Sequence, residues 1–468
     1  MRARLVLQFN PGVSLKEDAG GILSARFDGQ MLVLGKFSAE ARRRAAILET
    51  GLQIFPPQES DAPEVKEILA AARRLALHGL VEYRLCADDG DIAVMEPQMR
   101  DYAPRLPQLD ESRRYVLSRF AYLRRRGEEM VLESPRANVI FRLCDAGLAS
   151  LVAHLARPTT LAELRAAPGF PGMELLALLY DSQMLFALDA QKGLRASEGD
   201  DALILWDFHD LLFHVRSTTG RHANLTGGLY AHADLVAPQP TVRPGWPGPV
   251  IDLTKFPDSS DSACAALLRS RHSTRVYDDA HPITAAEVAR LLDGAARIIA
   301  HQKVGGDDKE PPLEIAARPY PSGGASYELE LYLAVRKCDG LPRGLYHYDA
   351  DRHALVAIGV AERQLDALLD DAQYAMGSAA LPQIVITMSA RFGRVQWKYS
   401  GFAYSLVLKH VGVLMQTLYL MAAEMKLGAC ALGVGDIDLF ARMTDIPFHV
   451  EGSVGLMAIG GRVEEGEA

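Results

Sequence analysis

Two arginines four positions apart, Arg271 and Arg275, flank Ser273 in the run S-R-H-S-T-R-V-Y-D at 270–278. Guanidinium forks match phosphate oxygens, and the serine adds a hydroxyl and a backbone N–H, so this segment can converge on one phosphate. The same spacing also suits a surface charge cluster. A second chemical feature is Pro321-Ser322-Gly323-Gly324-Ala325, just ahead of the apolar run at 327–335. Paired glycines let a backbone approach a flat ligand closely, and they serve equally as a plain turn. The third is Lys398-Tyr399, an amine and a phenol side by side. At ~10.4 and ~10, neither is a good base near neutrality. In a partly desolvated site each lowers the other's pKa: an ammonium stabilises a phenolate, and burial disfavours a lone lysine charge. A core tyrosine beside a helix-start lysine is the bland reading. Arg462, after Gly460-Gly461, stands where a strand end can meet an anion.

These residues need elements to hold them. The spacing predicts a helix at 263–268 ahead of Arg271, a strand at 327–335 and a buried strand at 382–388. A long apolar stretch follows at 411–428. It carries Gln416, Glu424 and Lys426, so it reads as a core helix and not as a membrane span. A small-residue strand and loop at 429–435 and a last strand at 455–462 complete this half. Upstream, 220–257 holds Gly227-Gly228, Pro238, Pro240, Pro244, Pro247 and Pro249, which cannot continue a helix or a central strand, so it reads as a connector. A helix at 203–217 precedes it.

The first 195 residues read as a duplication. Strands at 21–27 and 31–34 around a turn at Asp28-Gly29, helices at 39–49 and 65–78, and a hairpin at 80–85 and 92–96 form one set. Strands at 117–122, 129–133 and 138–143, helices at 148–155, 160–167 and 172–183, and a strand at 184–188 form the other. Small modules of helices with a β-wing are winged-helix-like. The runs Arg42-Arg43-Arg44 and Arg124-Arg125-Arg126 suit either phosphate contacts or solvated faces. The balance decides between them: 50 Lys+Arg against 59 Asp+Glu over 468 residues give a net charge of −9, which weighs against a nucleic-acid binder. An exposed wing edge offers a third use, as a clamp for an added peptide strand.

The 49% hydrophobic, 23% charged composition is that of an ordinary globular protein. Five scattered cysteines without a CxxC pair argue against a disulfide framework or a thiolate metal site and fit a reducing cytosol. His209, His214 and His222 do not match a metal spacing, His410 reads as a satisfied core histidine, and Cys430 as a small buried filler. No metal is expected.

The ordered set R-H-S-T-R-x-Y, P-S-G-G-A before a strand, a long apolar helix, G-A-C-A-L-G and a closing G-G-R resembles the nitroreductase-type FMN flavoprotein fold over 264–463. The whole chain resembles more specifically the SagB-type dehydrogenases, the azoline oxidases of thiazole/oxazole-modified peptide and cyanobactin pathways. W-D-F-H-D-L-L-F-H-V-R-S-T-T-G-R at 206–221, the Lys398-Tyr399 pair and the run L-S-R-F-A-Y-L-R-R-R-G-E-E-M-V-L-E-S-P-R-A at 117–137 carry that likeness.

The resemblance implies an α+β chain. Winged-helix-like modules at 1–105 and 106–195 and a helix with connector at 196–257 precede a dimeric, three-layer α/β/α FMN domain at 258–468. It implies that Arg271, His272, Ser273, Arg275 and Arg462 hold the FMN phosphate and ribityl chain. Pro321, Ser322, Gly323 and Gly324 would pack beside the isoalloxazine from the partner subunit, and Leu432 and Gly433 would offer backbone groups near its edge. Lys398 and Tyr399 would be the catalytic pair. Gln416-Thr417 departs from an expected Gln-Asn, so Thr417 is not counted as a contact.

Aromatising a thiazoline or oxazoline removes a proton from Cα and a hydride from Cβ; flavin N5 takes the hydride, and the pair assists the deprotonation. The implied partners are an azoline-containing precursor peptide, a cyclodehydratase of the same pathway and a second copy of the chain, with no nucleic acid and no membrane, in the cytoplasm. Two other functions are compatible with the residues: an NAD(P)H-dependent nitroreductase or quinone reductase, and a non-catalytic peptide- or DNA-binding scaffold.

Overall fold

The computed structural model describes residues 3–463 apart from 19, 28, 29, 57–61, 77, 89, 100, 101, 168, 189–192, 194–197, 225, 244, 246, 257–261 and 307–310. The expected turn at Asp28-Gly29 and the connector residues Pro244 and Pro257 lie outside the described residues. The chain divides into two compact units, Met1–Ala223 and Asn224–Ala468. The described residues from 224 to 256 are all exposed, as a connector requires.

One seven-stranded antiparallel sheet runs through the first unit, in the order Leu52–Phe55, Arg4–Phe9, Val81–Ala87, Gly90–Pro97, Val139–Leu143, Glu129–Glu133, Tyr122–Arg126. Its pairing of Gly90–Pro97 with Val139–Leu143 crosses the boundary expected at 105/106, so strands from both halves of the apparent duplication share one sheet. Arg4–Phe9, an R-L-V-L-Q-F alternation that buries every second residue, is a central strand of this sheet. Three helices, Gly147–His154, Leu161–Ala166 and Met173–Asp181, accompany a small three-stranded sheet of Thr159–Thr160, Arg114–Leu117 and Leu185–Ala187. Winged-helix-like is our proposal for this content.

Two expected elements break where side chains take over backbone bonds. The strand expected at 117–122 ends at Leu117, because Ser118 Oγ accepts the Phe120 N–H (3.2 Å) and the Ser118 carbonyl accepts the Ala121 N–H (3.0 Å). The helix expected at 203–217 splits into Asp201–Leu205 and Phe208–Arg216. Arg119 pins the gap by donating to the Leu203 and Trp206 carbonyls, and the buried Trp206 stacks on His214 at 5.8 Å.

The arginine runs are engaged within the unit. Arg42 pairs with Glu17 (2.8 Å), Arg43 with Glu40 and Arg44 with Glu64 (3.3 Å). Arg124 pairs with Glu133 (2.5 Å), Arg125 donates to the Gly127 carbonyl (3.0 Å), and Arg126 bonds both oxygens of Glu96 at 2.6 Å. Guanidiniums already neutralised release few counterions on meeting phosphates. The purified chain is therefore expected to show no salt-sensitive retention of double-stranded DNA in a filter-binding titration; retention that falls steeply with salt would restore the regulator reading.

In the second unit we number the elements α1 (Ala263–Ser270), α2 (Ala285–Ala296), β1 (Ala300–Val304), β2 (Leu313–Ala317), β3 (Leu329–Val335), β4 (Gly344–Asp349), β5 (Ala354–Ile358), α3 (Glu362–Met376), β6 (Ile384–Arg391), α4 (Phe392–Gln396), α5 (Ala403–Glu424), β7 (Leu427–Leu432), α6 (Ile437–Thr444) and β8 (Glu451–Gly461). The main sheet is antiparallel, in the order β5-β4-β3-β6-β8-β7. Tyr332, Ala334, Val385, Leu456 and Ala458 face one side and pack with Leu365 and Leu368 of α3 and Phe440 of α6. Strand periodicity sends Leu331, Leu333, Ile386 and Met388 to the other side. There α5 lies so close that a Cβ on Gly455 would stand 2.7 Å from Val411 and 2.9 Å from Met415. This is the three-layer α/β/α arrangement.

Among the described residues α5 is the one helix long and apolar enough to cross a membrane, yet it buries Tyr404, Val407, His410, Leu414 and Leu418 within the domain. The hairpin β1–β2 was not expected: its strands are short and largely exposed.

All five cysteines are free. Burial, then the hydrogen bond and charge of Asp91, push the Cys86 thiol up to about 12. Burial and the charges of Asp339 and Glu287 push Cys338 to about 11. Cys264 is exposed. Iodoacetamide at pH 8 is therefore expected to alkylate Cys264 well before Cys86 and Cys338, whose small thiolate fractions slow them by about tenfold at the least, by peptide mass mapping.

Candidate active site

The turn before β3 is built around backbone that other residues resist. Gly324 has φ +60°, and Ala325 and Tyr327 also take positive φ. Ser322 Oγ accepts the Tyr327 N–H at 3.0 Å, and Ser326 Oγ donates to the Gly323 carbonyl at 2.9 Å. The Gly323 N–H donates to His410 Nε2 at 2.7 Å, and His410 Nδ1 lies 2.7 Å from Glu328 Oε1. An Nε2 that accepts leaves the ring proton on Nδ1, so His410 donates to the Glu328 carboxylate. Glu328 is fully buried and His410 nearly so. A buried Glu–His pair thus holds a turn of β3 against the middle of α5.

Lys398 and Tyr399 meet the same turn. Phe392, Val395 and Gln396 anchor α4 in the core, and the Val395 carbonyl accepts the N–H groups of Lys398 (3.1 Å) and Tyr399 (2.9 Å). Arg394 Nε donates to the Ser326 carbonyl at 2.7 Å, tying α4 to the turn. A Cβ on Gly324 would strike Tyr399 Oη and stand 2.9 Å from Lys398 Nζ. The glycine is therefore needed for the close approach as well as for its φ. The desolvation expected of the pair is not supplied by this chain: Lys398 is exposed and Tyr399 half-buried, beside the half-exposed Trp397 and Phe402.

The basic segment lies further along α5. Tyr419 Oη accepts the Ala431 N–H at 2.7 Å and bonds Ser273 Oγ at 2.9 Å, and the Arg271 guanidinium lies 5.0 Å from the Tyr419 ring centroid. Backbone bonds from Thr274 N–H to the Ala429 carbonyl (2.8 Å) and from Asp278 N–H to the Gly461 carbonyl (3.0 Å) lay residues 274–278 beside the ends of β7 and β8. Gly428 permits this, since a Cβ there would meet Thr274 Cγ2 at 2.8 Å. Arg462 bridges to Tyr277 through the backbone. Cys430 is buried, which raises its thiol pKa, while Arg275 and a Ser273 hydrogen bond act to lower it.

Among the described residues neither Arg271 nor Arg275 has a carboxylate partner, so two guanidiniums stand ready for an anion. His272 is exposed, with its Nδ1 on the Ser270 carbonyl (3.0 Å). The Leu432 side chain is buried in the core, so only its backbone is on offer, and Gly433 is exposed with open space at its Cβ position. Thr417 donates its hydroxyl to the Val413 carbonyl (2.9 Å).

The structure thus gathers the candidate residues in two groups on one helix. Pro321–Gly324 and Lys398-Tyr399 gather around His410, and Arg271, Ser273, Arg275 and Arg462 around the segment beside Tyr419. The nine positions from His410 to Tyr419 correspond to ~13.5 Å of helix. Sequence reasoning missed Glu328, Tyr419 and Arg394. Glu328 sits in an E-L-E-L alternation that reads as a half-exposed strand, and Tyr419 in an apolar helix that reads as core.

An α/β/α domain with two arginines without a carboxylate partner toward one end of its core helix and a tightly approached Gly-Gly turn at its middle has donors for an anion and a close backbone for a flat ligand. Residues 268–461 match the model of the nitroreductase family, and residues 115–223 match the model of the cyanobactin oxidase ThcOx. The chain is an oxidoreductase with a nitroreductase-family flavoprotein domain and a cyanobactin oxidase segment ahead of it, the pairing that the SagB-type resemblance implied.

A protein of Methanocaldococcus jannaschii named as a nitroreductase is 28% identical over 179 residues, 38% of this chain and 82% of that protein. Solved structures with likeness include the E. coli microcin synthetase McbBCD complex with truncated pro-MccB17 bound. It is 19% identical with TM-score 0.38, covering 59% of this chain and 100% of that one. Another is a Desulfovibrio desulfuricans nitroreductase in complex with FMN, 15% identical with TM-score 0.28, covering 44% and 91%.

Proposed function

We propose that the chain oxidises thiazoline and oxazoline rings of a ribosomally made, post-translationally modified peptide to thiazole and oxazole, with FMN as cofactor. The observation that carries the reading is the meeting of Gly324 with Lys398 and Tyr399. It sets an amine and a phenol against a Gly-Gly turn whose backbone can lie flat beside a planar ring. Arg271, His272, Ser273, Arg275 and Arg462 have the donor chemistry to hold a phosphate and its ribityl chain, and Leu432 and Gly433 to offer backbone groups. FMN, when bound, supplies the hydride acceptor. Lys398 and Tyr399 take the proton from Cα of the azoline as one unit, with Arg394 and the Glu328–His410 pair keeping the turn in place. A second copy of the chain, paired through this domain, supplies the cover that Lys398 lacks in a single copy. The first unit holds the precursor peptide or a cyclodehydratase. The five free cysteines support a reducing, cytoplasmic setting.

The test is to incubate the yellow holoenzyme aerobically with an azoline-bearing peptide. Loss of two hydrogens per ring by mass spectrometry is expected. Rapid anaerobic bleaching by NADPH with no change in the peptide would instead make the chain a nicotinamide-dependent reductase.

A further inference from the structure

A cavity of about 320 Å³ opens beside Tyr327, between the β1–β2 hairpin, β3, β4 and α4. Three guanidiniums line it: Arg318, Arg391 and Arg394. Among the described residues the most buried carboxylate facing them is Glu330, which is 3.4 Å from Arg391 and 3.3 Å from His347. Burial acts to raise the Glu330 carboxyl, yet the His347 hydrogen bond and the charges of Arg318, His347 and Arg391 hold it below its usual value. The other acids at the rim are engaged or exposed. Asp349 accepts from Arg352 Nε at 2.6 Å, Asp351 lies 2.7 Å from His301 Nε2, and the Glu314 side chain is 65% exposed.

The guanidiniums keep donors in reserve. Arg318 spends Nη1 on the Leu329 carbonyl at 3.3 Å, while its buried Nε has no hydrogen-bond partner. Arg391 makes one long contact and is half-exposed. Burial, then the neighbouring charges of Arg391 and Arg318, depress the pKa of Arg394, while Glu330 and Glu314 act to raise it. An orphaned buried donor among crowded cations is what an anion would relieve.

The anion's class follows from size and surroundings. The volume is at the low end for ligand pockets, with room for a side chain and its flanking backbone and not for a dinucleotide. Glu330 and the acidic rim oppose the second charge of a phosphate and tolerate a single carboxylate. Guanidinium forks take a carboxylate through two parallel bonds. Tyr327 stands three positions from Gly324, at most ~10 Å of chain, so the pocket lies within reach of a peptide whose ring sits at Lys398-Tyr399.

We propose that this pocket receives the carboxylate of an acidic side chain of the peptide substrate, roughly three residues from the ring that is oxidised. It is a specificity site, and it rests on the peptide-oxidase reading above.

The test uses the full-length holoenzyme and fluorescent azoline peptides in which one glutamate is walked through positions either side of the ring, each paired with its glutamine counterpart. At one position the glutamate peptide is expected to bind about tenfold tighter by anisotropy. That preference is expected to vanish in Arg391→Gln and Arg318→Gln and to persist in Arg290→Gln, a surface control. Equal affinity for glutamate and glutamine at every position, or a preference unchanged in both pocket variants, overturns the proposal. So does displacement of the glutamate peptide by 2′-phosphoadenosine, which would make the pocket a phosphate site. A glutamate preference with no ring oxidation would keep the pocket and sink the oxidase reading. Oxidation without the preference would do the reverse.

Discussion

Lys398→Ala and Tyr399→Phe are each expected to lower the rate of azoline oxidation by roughly a hundredfold or more while leaving flavin content unchanged. A positioned proton acceptor contributes about 10²–10⁴ in rate. Both side chains project from the stub after α4, whose hold on the core comes from Phe392, Val395 and Gln396, so removing them leaves the fold's anchors in place. The residues proposed to hold the phosphate lie further along α5, around Tyr419, so that proposed anion site is not touched. If the pair works as one unit, the double variant falls little further than the worse single one, because groups that act together are not additive. Stopped-flow measurement of flavin reduction by azoline peptide under anaerobic conditions isolates this step. Wild-type reduction rates in both single variants would refute the assignment. Equal losses in rate and in flavin content would show a structural role instead.

What could be read from the chain alone was local in character. Arg271, Ser273 and Arg275 lie on one short segment, and Gly323-Gly324 is needed for its backbone, so residue type and spacing were enough to nominate them. The long core helix announced itself by its apolar length, though it begins at Ala403, earlier than the stretch that signalled it. What was not legible depends on partners far away in sequence. The run Arg4–Phe9 has the length and alternation of a strand, but its central place between Leu52–Phe55 and Val81–Ala87 is settled only in three dimensions. Glu328 looked like the polar half of a strand alternation, and its meaning comes from His410, 82 positions later. The β1–β2 hairpin pairs a polar, exposed strand, A-H-Q-K-V, with the five-residue run L-E-I-A-A, too short a pattern to fix a hairpin without its partner. The exposure of Lys398 belongs to the same class: residue type and spacing do not tell whether a side chain ends in solvent.

The Glu328–His410 pair carries the largest expected effect on stability. In His410→Leu the buried Glu328 carboxylate loses its proton donor and Gly323 its acceptor. Losing the hydrogen bond to a buried carboxylate and orphaning the Gly323 N–H together cost about 3–5 kcal/mol. For a unit of this size that corresponds to a fall in Tm of roughly 10 °C in differential scanning calorimetry. Glu328→Gln should cost far less, about 1 kcal/mol, because the amide oxygen can still accept from Nδ1. The informative variant is the double replacement, His410→Leu with Glu328→Leu. It removes the stranded charge, so it should be more stable than His410→Leu alone. It still leaves the Gly323 N–H without an acceptor, so the turn is no longer held to α5 and Gly324 can drift from Lys398 and Tyr399. Stability should thus recover in the double variant while azoline oxidation stays depressed by tenfold or so, the cost of a small misplacement at a reacting centre. If activity returned together with stability, the pair would be packing material only. If His410→Leu left Tm unchanged, the buried dyad would not be holding the turn at all.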